Sequence, residues 1–247
     1  MRTANPALGD RTFTGFGRLA GAEQMTIQGT ANKALLLLLC VMITAAWVWN
    51  MYYRSLNPGV VIPWVTVGAI AGFIVALVTV FKQTWAPVTA PIYALLEGLV
   101  LGGVSALFEA QFPGIVLQAV VLTMGTCLAL LLAYKTGLIR ASENFKLAVV
   151  AATGAIALFY VLTIILSFFR VQVPLVYGSG WVGIGFSIVV VTIAALNLVL
   201  DFDFIEQGAA QGAPKFMEWY AAFGLMVTLI WLYLEILRLL AKLRSRD

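Results

Sequence analysis

Seven stretches of about 20 mostly apolar residues, each long enough to cross the hydrocarbon core of a bilayer as a helix, follow one another with short connections. They are 31–53, 61–81, 87–108, 114–134, 146–169, 181–200 and a seventh inside 215–243. A backbone that crosses lipid must satisfy its own hydrogen bonds, and a helix does so within one segment. The pattern predicts an all-α integral membrane protein, a seven-transmembrane-helix bundle over 31–243 in which sequential helices are neighbours. Residues 1–30 read as a polar, flexible tail, with a short interfacial helix expected around GFGRLAGAEQM (15–25). The tail has no apolar run of the kind a signal peptide needs. The first turn of the seventh segment, with Glu218, Trp219 and Tyr220, suits headgroup depth.

Composition closes off the alternatives. Of 247 residues, 62% are hydrophobic and 11% charged; a water-soluble domain is nearer about half and a quarter. There is no histidine, which excludes a Ser–His or Cys–His nucleophile, an H-E-x-x-H zinc site and a histidine pH switch. Cys40 and Cys127 each sit inside an apolar run, so no disulfide framework is expected. The net charge of +4 is small, and nothing points to nucleic acid. The expected surroundings are the lipid bilayer. Small residues recur at helical spacing (Gly68 and Gly72; Gly98, Gly102 and Ser105; Gly183 and Ser187) and read as close helix–helix packing.

An odd number of spans puts the termini on opposite sides. The internal loops place Lys82, Lys135, Arg140, Lys146 and Lys215 on the N-terminal side against Arg54 and Arg170 on the other, which favours a cytoplasmic N-terminus. The basic C-terminal stretch, with Arg238, Lys242, Arg244 and Arg246, argues the opposite way.

The acids inside the greasy runs carry the chemistry. Glu97, Asp201, Asp203 and Glu235 fall within or at the edge of spans, where an ionised acid costs about 2.5–3.5 kcal/mol even on the lenient insertion scale. Glu97 stands mid-membrane by count with no basic residue nearby in sequence. Arg238 follows Glu235 by three residues, on one helix face. Asp201 and Asp203 lie roughly 200° apart on a helix, so one can face inward while the other faces the interface or a loop. Two readings stand for the stretch LNLVLDFDFIEQG: a helix that ends in water near residue 200, or the titrating gate of a cation path. Carboxylates suit Ca²⁺ or protons, with Asp201 and Glu235 as the acids for Ca²⁺, and no resident cofactor is expected.

The segments APIYALLEGLVLGGVSALFE, GLIRASENFKLAVVAATGAIALFYV, LNLVLDFDFIEQGA and EWYAAFGLMVTLIWLYLEILRLL, with NPAL and MTIQGTANKALLLLLCVM before them, resemble a bacterial member of the Bax inhibitor-1 (YccA-like) family. The resemblance covers the chain from about residue 5. It implies seven helices with the last one central, a plasma-membrane location, pH-sensitive calcium leak, a stress-response role and, in the bacterial branch, modulation of a membrane-bound AAA protease. It also implies a proton-sensing pair of acids, one each from helices six and seven. Asp201 matches the first. Two registers compete for the second: LYLE offers Glu235, whereas alignment on the closing stretch around Arg238 offers Thr228. Arg238 is the basic residue available as a latch.

Two functions from different classes follow. One is a pH-sensitive calcium leak channel gated by Asp201, Asp203, Glu235 and Glu97. The other is a regulatory membrane protein that binds a membrane protease or another stress-response complex without conducting ions. An enzyme is not expected: no histidine, metal-ligand cluster or Ser–Lys pair is apparent in the spans, and Asp201 and Asp203, on one segment, are misplaced for an aspartyl dyad. Lys242 is too near the helix end to hold retinal. Oligomeric state leaves no trace in the sequence.

Overall fold

In a computed structural model of the chain, residues 24–169, 178 and 180–245 are described. They form seven long helices: α1 (Ile27–Ser55), α2 (Pro58–Phe81), α3 (Ala86–Gln111), α4 (Ile115–Lys135), α5 (Glu143–Phe168), α6 (Trp181–Ala210) and α7 (Met217–Arg244). A 3₁₀ turn, Gln83–Trp85, precedes α3. All seven are long and apolar enough to cross a membrane. The sequence-based seven-helix bundle is the fold, and α7 is its most buried helix, with 61% of its apolar window inside the protein against 17% for α2, α4 and α5.

Local chemistry sets the helix starts. Thr26 caps α1 by accepting from the Gly29 N–H at 2.9 Å. Asn57 caps α2, with Pro58 at the first helical position where its missing N–H costs nothing. Ser142 caps α5 by accepting from the Phe145 N–H. Helix α1 thus begins at Ile27, four residues before the expected membrane domain, because a cap and a buried anchor at Met25, 2% exposed, fix its first turn. The expected tail and interfacial helix lie outside the described residues up to residue 23; Gln24 is extended, pairing with Pro214 in an antiparallel bridge.

The larger departure is α6. It does not end near residue 200 but continues to Ala210, and the loop begins only at Gln211. Apolar positions continue with helical period past the acids: Leu198, Phe202 and Ile205 are all buried. The chain then turns at Gly212, whose φ of +68° is comfortable for glycine. Helix α7 is continuous from Met217, and Glu218 in its first turn is fully buried within the protein.

The chain divides into two compact units. Among the described residues, one comprises 114–169, 178, 180–203 and 227–245, and the other 24–113 and 204–226; α6 and α7 each contribute to both. In the second unit α1, α2 and α3 pack through glycines. A Cβ on Gly98 would strike the Val41 carbonyl oxygen, one on Gly102 the Ala45 carbonyl oxygen, and one on Gly68 would sit 2.6 Å from the Leu96 carbonyl oxygen. Val48, Tyr52, Val61, Leu99 and Ala106 form the core of this packing. The outward faces of α1 and α2 carry large apolar side chains such as Leu39, Ile43, Ile70 and Phe73, as lipid contact requires.

Candidate functional site

Within the unit built from α4, α5 and parts of α6 and α7, the acids of α6 point different ways. Asp201 is 2% exposed. Its carboxylate accepts a hydrogen bond from the Thr228 hydroxyl of α7, and Cys127 of α4 lies within electrostatic reach. Its Oδ2 is buried with no hydrogen-bond partner. One turn earlier Asn197 ties α6 to α5 by donating to Thr153 Oγ1 at 2.8 Å. Asp203, two residues on, forms an ion pair with Lys146 of α5 at 2.8 Å and accepts a longer bond from the Tyr134 hydroxyl of α4 at 3.4 Å. The rotation between the two acids sends them to different partners, and Asp203 turns to side chains of α5 and α4 rather than to a loop.

Glu235 does not meet Asp201. It accepts from the Tyr160 hydroxyl of α5 at 2.9 Å, and Arg238 donates to both of its oxygens at 2.9 and 3.0 Å. Arg238 also donates to the Tyr160 oxygen at 2.7 Å and lies over its ring. Thr228 and Glu235 are seven residues apart on α7, about 10 Å along the axis. The helix that brings Thr228 to Asp201 therefore carries Glu235 two turns away. Of the two registers, the structure juxtaposes Asp201 with Thr228. Arg238 is occupied by Glu235 and Tyr160 rather than latching Asp201.

One pair was not foreseen. Lys242 of α7, 6% exposed, donates to Ser187 Oγ of α6 at 2.9 Å and to the Gly183 carbonyl at 3.1 Å. A Ser–Lys pair does exist in the spans, contrary to expectation, because residues far apart in sequence meet across two helices. Ser187 lies within α6, where the neighbouring backbone N–H groups are taken up by the helix's own hydrogen bonds.

In the other unit Glu97 of α3 accepts from the Tyr93 hydroxyl one turn back, facing α2 at Gly72. Tyr93 in turn packs edge-on against Phe223 with centroids 5.0 Å apart. A second acid stands here: Glu218, fully buried, accepts from Thr26 and pairs with Lys33 and Lys215.

Sequence reasoning missed Lys146 and Glu218 as site residues. Lys146 looked like loop charge, yet an acid at the α6 end requires a cation from the same membrane side, and the α4–α5 connection is one of the few sources. Among the described residues no group of three or more His, Cys, Asp or Glu side chains converges to hold a metal. Asp201 and Glu235, with separate partners, do not form a shared Ca²⁺ site.

A profile of the family described as Bax inhibitor 1 like matches residues 5–245. The chain belongs to that family. Neither the comparison with curated proteins nor that with solved structures found a match. In this Bax inhibitor 1 like protein the partner that α7 presents to the α6 acid is the hydroxyl of Thr228 rather than a second carboxylate.

Proposed function

We propose that this Bax inhibitor 1 like membrane protein is a proton-responsive cation leak pathway, with Ca²⁺ as cargo and Asp201 as the titrating gate. The observation that carries the reading is the contrast between Asp201 and two other acids of its unit, Asp203 and Glu235. Asp203 and Glu235 are compensated by Lys146 and Arg238. Asp201 has a hydroxyl from another helix and an unpartnered oxygen. An acid kept in that state inside a span is costly unless it serves a purpose. Proton uptake or release there changes the charge at the contact between α6 and α7, and so its strength. The lack of a metal-holding cluster among the described residues suits a path that cations traverse rather than a cage that retains them, since Ca²⁺ retention takes several oxygen ligands.

The reading is of a non-enzymatic protein in a bacterial inner membrane with a cytoplasmic N-terminus.

The test is Ca²⁺ flux into proteoliposomes across pH values on both sides of neutrality, wild type against Asp201→Asn. Flux whose pH dependence flattens in the variant supports the gate. Wild-type flux equal to that of empty liposomes sinks the reading and turns the search to regulation of a membrane protease.

A further inference from the structure

The contacts at the root of the N-terminal tail have no part in the reading above. Gln24 bridges to Pro214 in the α6–α7 turn. The Met25 N–H donates to the Ala213 carbonyl at 2.7 Å, and the Met25 side chain is 2% exposed. The Thr26 N–H and hydroxyl both donate to Glu218 Oε1 at 2.9 Å. Lys33, nearly two turns into α1, pairs with the other carboxylate oxygen and lies over the Trp219 ring at 5.5 Å. Lys215, from the turn itself, pairs with Oε1 at 3.2 Å. The place is shaped for this: any side chain at Gly29 would strike the Glu218 carboxylate, and a Cβ at Gly212 would lie only 3.2 Å from the Gln24 amide.

We propose that residues 24–26 form a releasable strap across the α6–α7 turn, with Glu218 as its buckle. Three features favour a device over passive packing. The hold is mostly polar, with Met25 its single deeply buried apolar plug. Both polar contacts of Thr26 end on one carboxylate, so a single event undoes the two together. The carboxylate sits in the first turn of α7, where the helix dipole favours negative charge.

The experiment uses the full chain in liposomes with Cys40 and Cys127 replaced by alanine. Met25→Cys is challenged with a maleimide and its rate normalised to Gln28→Cys, an exposed position on α1. The closed strap predicts slow labelling of Met25→Cys. It predicts labelling about tenfold faster or more when Glu218→Gln is added, because local opening governs reactivity at a buried thiol. Thr26→Val, a gentler change, should give a smaller increase while the protein remains monodisperse and helical. A Gln24→Cys/Pro214→Cys disulfide should return the Glu218→Gln rate to the slow value. Equal rates with and without Glu218, or fast labelling in the unaltered buckle, would overturn the proposal. None of these readouts depends on ion flux, so the strap and the leak stand or fall separately.

Discussion

Lys146 and Asp203 join α5 to α6 through an ion pair of 2.8 Å in which the lysine side chain is only 4% exposed and the aspartate 16%. Buried pairs of this kind contribute little net stability when intact but cost about 3–5 kcal/mol when one partner is removed. Lys146→Met should therefore destabilise the protein by that order. Lys146→Met with Asp203→Asn should cost clearly less than the two single changes together. Unfolding of the four variants in detergent, treated as a double-mutant cycle, measures the coupling.

Glu235 and Asp201 should behave differently although both are buried acids. Glu235 is compensated by Arg238 and Tyr160, so Glu235→Gln should leave the pH response of any flux in place while lowering stability. Arg238→Ala should be worse for stability, by about 3–5 kcal/mol, because it strands a buried carboxylate. A Glu235→Gln protein whose flux loses its pH dependence as Asp201→Asn is expected to would contradict this division of roles.

Thr228 offers its hydroxyl to Asp201. Thr228→Val removes one hydrogen bond to Asp201 and should cost about 1–3 kcal/mol, the range for leaving a buried polar group short of a partner. Thr228→Ser keeps the donor and should retain both stability and pH response. Thermal unfolding alongside flux across pH separates loss of the hydroxyl from loss of the methyl.

The glycines sort into two kinds. Gly98→Ala and Gly102→Ala drive a methyl into the backbone of α1 and should destabilise by about 1–3 kcal/mol through overpacking. Gly125→Ala and Gly154→Ala meet nothing within 4 Å and should be neutral or gain up to about 1 kcal/mol from helix propensity. Equal melting temperatures for Gly98→Ala and Gly125→Ala would show that the α1–α3 contact has room for a methyl group after all.

Sequence alone located all seven spans, because apolar length is what chiefly decides whether a helix settles in lipid, and it is written along one dimension. It misjudged the end of α6. Charges at 201 and 203 normally announce water, but Thr228 and Lys146 answer them from α7 and α5, and such answers are invisible to a hydropathy pattern. The choice between Glu235 and Thr228 failed for a related reason. Seven residues are nearly two full helical turns, so both positions lie on almost the same face, and periodicity cannot separate them. Depth along the helix can, and depth depends on where α7 begins. The burial of Glu218 was not legible either, because its partners, Thr26 and Lys33, lie almost the whole chain away.

The glycine seam between α1 and α3 has a consequence for where anything could cross the protein. At Gly98 and Gly102 the two backbones meet with no room for a methyl group, so no chain of water molecules fits between them either. No hydrated file of ions can run along this contact. A traffic route, if the protein offers one, must be sought beside other helices, and blocking reagents placed along the seam should find nothing to obstruct.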